Sequence, residues 1–392
     1  MKRTSWNQHV VKKKNKEMVL QKIIALAPIS RADIAQRSGL NKATVSSLVS
    51  ELIQEELIFE SGPGESSGGR RPVMLLFNKS AGYSIGIDMG VNYTFGIITD
   101  LVGNVIYEKN HPIHKPLSFD QQIRLLIETI GTLIDQTPKS RYGVIGIGIG
   151  VPGIVGINGR VLLAPNLKWK DIDLMKILKR EFDYPILVEN EANAGAYGEK
   201  RFGSGQESNN IIYVSAGIGI GAGFILDGEL FRGNNGYAGE SGHMTIVKDG
   251  KKCECGNTGC WEAYASEHSL LKQAKDFVHL SEATLEQLID FAEADDKDSI
   301  ELFQEIGSYM GTGMANLIKT FNPQLVIVGN RLAKAKDWIE DPIVETIKKE
   351  LLTFHQTDMK MKFSKLSTYS TALGVSAFAI EEFLKTDQAE NT

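Results

Sequence analysis

Helical periodicity governs the first fifty positions. Val19, Ile23 and Leu26 share one side of a stretch over 18–27, and Pro28 stops it. Ser30-Arg31-Ala32-Asp33 reads as an N-cap with an acidic residue three positions on, opening a helix over 31–38 that buries Ile34 and Ala35. Gly39 ends that helix in a tight turn. Asn41 caps a third helix, in which Val45, Leu48, Val49, Leu52 and Ile53 fall at i, i+3, i+4, i+7 and i+8. Lys42, Thr44, Ser46 and Ser47 are left facing outward at its start. Stretches 57–60 and 73–77 read as paired strands flanking S-G-P-G-E-S-S-G-G-R-R-P.

Beyond residue 80 the period changes. Strands over 83–88, 91–99 and 103–108 precede a helix over 121–136. A glycine-laced apolar strand covers 142–150, and another over 185–188 runs into E-N-E-A-N-A and a helix. The β pattern restarts at 211–215, 221–226 and 229–231. Helices fill 262–320, a strand covers 325–328, a helix follows, and 374–383 closes the chain. Two rounds of strands followed by helices predict two related α/β lobes with a cleft between them. The expected units are 1–80, 81–200 joined by a C-terminal helix over 373–392, and 201–372. The polar last residues, 386–392, are expected to fray.

Charge separates the small unit from the large one. Residues 1–79 hold 13 Lys and Arg against 7 Asp and Glu, net +6, and the remainder holds 30 against 41, net −11. A basic head on an acidic body suits nucleic-acid binding by the head, although a solvated charged face gives the same count. Two short helices joined by a glycine turn form a helix-turn-helix, whose second helix would lay its start against base edges. Arg31, Asn41, Lys42, Thr44, Ser46 and Ser47 are the candidate contacts, their side chains suited to base edges and phosphates. The following strands and their loop would be a wing, with Arg70 and Arg71 at a slim tip entering a narrow minor groove; a flexible linker is the plainer alternative. No apolar run approaches the ~18 residues of a membrane-spanning helix, and no signal peptide is recognised at the N-terminus.

All three cysteines, Cys253, Cys255 and Cys260, lie in G-E-S-G-H-M-T-I-V-K-D-G-K-K-C-E-C-G-N-T-G-C-W-E, with His243 ten residues before the first. Three thiols and one imidazole make the ligand set of a closed tetrahedral zinc site, with no position left for a reactive water. Gly256 and Gly259 free the loop to wrap the metal. Three buried cysteines and a core histidine would be the bland alternative. Folding this loop would aim Glu240 and Glu262 in a fixed direction, making structural zinc the brace of a polar pocket. Cysteines gathered in this way fit a reducing cytoplasm.

The same stretch resembles the signature of the ROK family, which groups sugar-responsive repressors with sugar kinases: G-E-x-G-H, then C-x-C-G-x-x-G-C-x-E. The resemblance covers nearly the whole chain. It implies a winged helix-turn-helix followed by a two-lobed, ribonuclease-H-like body of the actin and sugar kinase type. It assigns sugar binding to positions matched by Asn190, Glu191, Glu240, His243 and Glu262, with Gly153 and Asn166 on the pocket wall. Where family kinases carry D-x-G-G-T, this chain has Asp88-Met89-Gly90-Val91-Asn92. Where they carry G-T-G-x-G-x-G, it has Gly217-Ile218-Gly219-Ile220-Gly221-Ala222-Gly223. Glu191 replaces the aspartate of E-N-D that serves as base. Lost hydroxyl donors and a lengthened base imply no ATP and no catalysis. The expectation is a repressor that binds a pseudo-palindromic operator as a homodimer or dimer of dimers. The whole-chain likeness favours D-xylose as inducer; a glucose or N-acetylglucosamine response, or a sugar kinase with a DNA-binding head, are the alternatives.

Overall fold

The computed structural model describes residues 8–63, 72–356 and 359–385. The chain opens with α1 (Gln8–Leu26), β1 (Ile29–Ser30), α2 (Arg31–Ser38), α3 (Lys42–Gln54), β2 (Ile58–Pro63) and β3 (Val73–Phe77). The Ser30 hydroxyl accepts from Asp33 N at 3.2 Å, and Asn41 Oδ1 accepts from Thr44 N at 2.8 Å. Gly39, at φ 72°, terminates α2 in the left-handed region that favours glycine. Val19, Ile23, Ile34, Val45, Leu48, Val49, Leu52 and Leu75 form the head's core.

Two features depart from expectation. Helix α1 begins at Gln8 rather than near Met18, because Lys12 and Lys16 pair with Glu51 and Glu55 of α3 where apolar contacts are missing. The strand pair gains a third member, with β1 and β2 flanking β3 in antiparallel register.

The body follows with β4 (Tyr83–Met89), β5 (Tyr93–Asp100), β6 (Val105–Pro112), α4 (Phe119–Gln136) and β7 (Val144–Val151). A small meander of β8 (Ile154–Val155), β9 (Val161–Ala164) and β10 (Trp169–Ile172) precedes α5 (Leu174–Leu178), β11 (Ile186–Asn190) and α6 (Glu191–Phe202). Then come β12 (Ile211–Ala216), β13 (Ile220–Leu226), β14 (Glu229–Leu230), α7 (Glu262–Ala265), α8 (Glu267–Ala274), α9 (Leu285–Glu293) and α10 (Lys297–Phe321). The last elements are β15 (Leu325–Gly329), α11 (Lys336–Glu350), β16 (Lys360–Phe363) and α12 (Ser370–Lys385).

Two five-stranded sheets result, ordered β11-β7-β4-β5-β6 and β14-β13-β12-β15-β16. In each, three parallel strands continue into an antiparallel hairpin edge. Helices α6 and α12 pack on each other, α12 lying on β4 and β7 of the first sheet and α6 on β12 and β13 of the second. This explains the glycines of β7: a Cβ at Gly148 would run into the Val375 carbonyl, and one at Gly374 into that of Ala194. Backbone therefore meets backbone along this seam, which leaves little slack between the sheets.

The far end of α12 enters the head. Ala379 and Ile380 share the head's core with Ala81, Leu101 and Ile145, and Phe383 meets the Tyr142 ring edge-on at 5.0 Å. Tyr142 Oη donates to the Glu55 carbonyl at the end of α3, at 2.9 Å. No helix among the described residues is long and apolar enough to cross a membrane.

Candidate functional site

The cysteine loop folds on its own backbone. Cys253 N donates to the Asn257 carbonyl at 2.9 Å, Gly256 N to that of Cys253 at 3.0 Å, and Gly259 N to that of Lys251 at 2.8 Å. Trp261, fully buried, anchors the loop by donating Nε1–H to the Tyr309 carbonyl of α10 at 2.8 Å. Donor atoms of His243, Cys253, Cys255 and Cys260 all lie within 4.8 Å of one another. The His243 Nδ1 to Cys253 Sγ and Cys255 to Cys260 Sγ separations are both 3.7 Å. A tetrahedron with metal–sulfur bonds of about 2.3 Å has edges of about 3.8 Å, so the cluster fits a tetrahedral metal centre. Burial raises the Cys253 and Cys260 thiols above their usual range, so their ionisation calls for a cation to offset the charge.

Beside this cluster a cavity opens between the two sheets. It is lined by all seven candidate sugar residues: Gly153, Asn166, Asn190, Glu191, Glu240, His243 and Glu262. Their positions follow from local structure. Asn190 caps α6, its Oδ1 accepting from Ala192 N and Asn193 N at 2.9 and 3.0 Å, while its Nδ2 donates to the Gly153 carbonyl at 2.8 Å. Its side chain thus welds β11 to the V-P-G turn and keeps one N–H for a ligand. Glu191 is the first residue of α6. Glu240 precedes the short turn to His243, whose Nε2 faces the Glu240 carboxylate at 3.9 Å while Nδ1 faces the cysteines. Glu262 Oε2 accepts from Ile220 N at 2.9 Å.

Residues that the sequence pattern did not single out complete the wall. Asn330 Nδ2 donates to Ser215 Oγ at 2.9 Å, and that hydroxyl donates to Glu191 Oε1 at 3.3 Å. Tyr93 folds over Gly90 and donates its hydroxyl to Asp88 Oδ2 at 2.7 Å, closing over the turn that follows Asp88-Met89-Gly90. Arg331 also lines the cavity, but its guanidinium is gripped in two places by the buried Glu267 carboxylate, at 2.8 and 3.0 Å. Burial pushes Asp88 up to about 7 and, reinforced by the neighbouring Asp88 charge, Glu191 up to about 8. Glu191, Glu240, Glu254 and Glu262 line the cavity with four carboxyl groups, of which Glu191, protonated at neutral pH, can donate as well as accept; the set suits a neutral polyol and is hostile to phosphate. Tyr93 could have been suspected only from its place directly after the altered first loop.

At the head, Lys42, Ser46 and Ser47 are exposed and Thr44 half-buried. Asn41 spends its Oδ1 on the α3 cap. Arg31 is not free: it donates to Glu60 Oε1 of β2 at 2.8 Å, an exposed pair worth at most about 1 kcal/mol and therefore open to exchange. Arg70 and Arg71 lie outside the described residues.

The ROK family pattern matches residues 84–382. The chain belongs to the ROK family. The xylose repressor of Bacillus spizizenii is 45% identical over 380 residues, covering 96% of this chain and 98% of its own. Among solved structures, a ROK family transcriptional regulator, a homolog of the E. coli MLC protein, is similar with a TM-score of 0.81 at 28% identity, covering 96% of this chain and 97% of that one. A ROK family glucokinase from Streptomyces griseus, solved with glucose and AMPPNP, covers 76% of this chain and 99% of its own, with a TM-score of 0.71 at 27% identity. The ROK body of this chain accordingly has the α/β architecture common to the family's regulators and sugar kinases.

Proposed function

We propose that this ROK protein is a xylose-responsive transcriptional repressor acting in the cytoplasm. The observation that carries the reading is the likeness to a xylose repressor along 96% of the chain, head and cavity included. In this reading the units are a winged helix-turn-helix over 1–80, a lobe over 81–200 with the C-terminal helix over 373–392, and a lobe over 201–372. The head reads a pseudo-palindromic operator through the start of α3, with two copies supplying two heads. D-xylose occupies the cavity, its hydroxyls meeting Asn166, Glu191, Glu240, His243 and Glu262. Structural zinc on His243, Cys253, Cys255 and Cys260 fixes the wall that carries Glu240 and Glu262.

ATP chemistry is not part of this function. Ile218 stands where a kinase has a threonine, Tyr93 fills the first loop, and Glu191 lengthens the base. Helix α12 supplies the link between sugar and DNA. At one end Thr371 Oγ1 donates to the Glu191 carbonyl at 3.2 Å; at the other, Ile380 and Phe383 sit in the head's core. Sugar closure that shifts Glu191 would thus move the body's contact with α3. Calorimetry against D-xylose, glucose, N-acetylglucosamine and ATP tests the assignment. Saturable binding of D-xylose alone is expected; preferential binding of another sugar replaces the inducer, and sugar-dependent ATP hydrolysis overturns the non-enzymatic reading.

A further inference from the structure

Two strips of chain, one from each five-stranded sheet, meet at Glu189 and Arg232. Glu189 is buried in β11, directly before Asn190. Its Oε1 accepts from Asn190 N at 3.0 Å and from Asn193 Nδ2 at 3.2 Å. Arg232 follows β14 by two residues, and its Nε donates to Glu189 Oε2 at 2.7 Å. The guanidinium also lies over the Phe378 ring of α12, 5.1 Å from its centroid, and Phe378 stacks on Tyr197 of α6. Exposed ion pairs are weak and mobile; here the carboxylate is buried and held by two further donors.

The loop that begins at Arg232 ends in the cavity. Ala238 N donates to the Arg232 carbonyl at 3.2 Å, and Ala222 N of β13 donates to the Gly239 carbonyl at 3.1 Å, so Glu240 follows at a fixed offset from Arg232. Midway, Gly236, at φ 92°, lies so close to the turn after β8 that a Cβ would meet the Val155 carbonyl oxygen and Ile157 N at 2.9 Å. The loop therefore braces against the first sheet's elements twice, and delivers Glu240 and His243 to the cavity. Opposite them stand Asn190 and Glu191, from the junction of β11 and α6. A ligand that must meet both sides binds tightest when their separation is set beforehand. Glu189 is one residue from Asn190, and Arg232 one closed loop from Glu240. We infer that Arg232 is a positioning residue of the sugar site: its ion pair with Glu189 clamps the two sides of the cavity at the spacing a monosaccharide needs. The inference rests on the proposed sugar reading of that cavity. Neither residue of the pair is among those that line it, so an effect on sugar passes through the neighbours each one holds.

Full-length wild type, Arg232→Lys and Glu189→Gln/Arg232→Met are compared by calorimetry with whichever of D-xylose, glucose and N-acetylglucosamine the wild type binds best, and by thermal melting without sugar. Removing Arg232 alone would strand a buried carboxylate and endanger the fold. The double variant removes the charge from both partners, while the glutamine Oε1 still accepts from Asn190 N. It is expected to melt cooperatively and to bind the sugar at least about fivefold more weakly, the lower end of the usual coupling between sites. Arg232→Lys keeps a cation opposite Glu189 and should retain most of the affinity. Wild-type affinity in the double variant, or an equal loss in Arg232→Lys, overturns the clamp. A double variant that no longer melts cooperatively overturns it too, since the pair would then support the fold at large. A wild type that binds none of the three sugars overturns the sugar reading itself, and the clamp with it.

Discussion

Gly219→Ala isolates the aiming of Glu262. Gly219 lies in the turn between β12 and β13, and a Cβ built there would overlap the Glu262 carboxylate at Oε2. The obstructing atom is the end of a side chain, so the carboxylate swings away while the backbone stays. The 2.9 Å bond from Ile220 N is then lost. A hydrogen bond to a charged acceptor contributes about 1.5–3 kcal/mol, so sugar affinity should fall by roughly 10- to 150-fold if that bond orients Glu262 for its ligand. Calorimetry with D-xylose reads the affinity, and metal analysis checks that the cysteine cluster is intact. Glu262→Ala supplies the second arm: once the carboxylate is gone, Gly219→Ala should have almost no further effect. Unchanged affinity in the single variant, or equal losses in both backgrounds, would refute the orientation argument.

Three more outcomes follow from the geometry. Cys255→Ser should lose zinc and the xylose-dependent thermal shift together; a variant that keeps full sugar response without metal contradicts the brace. Tyr142→Phe removes the donor to the Glu55 carbonyl while keeping the ring on Phe383, a change of about 1 kcal/mol. The ratio of operator affinities without and with xylose should shrink about fivefold, and an unchanged ratio would place the coupling elsewhere. Asp88 and Glu191 hold protons in the native state that the unfolded chain releases near pH 4, so native stability should fall as pH rises from that point until the native groups ionise near 7 and 8. Asp88→Asn should flatten the decline in melting temperature between pH 5 and 8, and a parallel decline in wild type and variant would rule out Asp88 as its source.

Much of the architecture was legible because short-range rules were decisive. The Ser30 and Asn41 caps, the Gly39 turn and the apolar stripe of α3 are local, and the structure reproduces them. The cysteine cluster was legible from composition, since a thiol-rich octet in an otherwise cysteine-free chain has few other uses. The seven candidate sugar residues come from segments as distant as Gly153 and Glu262, and only the family signature linked them. What escaped the sequence depends on partners far along the chain. The start of α1 is held by charges on α3, and the hydrogen-bonding of Tyr142 to Glu55 spans 87 positions. The small meander of β8, β9 and β10 is too short to announce itself by period. E-N-E-A-N-A was open to two readings, a helix cap or a ligand site; Asn190 caps α6, and Glu191 lines the cavity in which the proposed sugar would sit.

Fluorescence anisotropy on a labelled promoter fragment of a xylose-utilisation operon tests the central claim most directly. Protein is titrated at fixed salt, and D-xylose, glucose and N-acetylglucosamine are then added separately. The account predicts tight, sequence-specific binding that D-xylose alone releases. Release by another sugar, or no preference for the fragment over scrambled DNA, would contradict it.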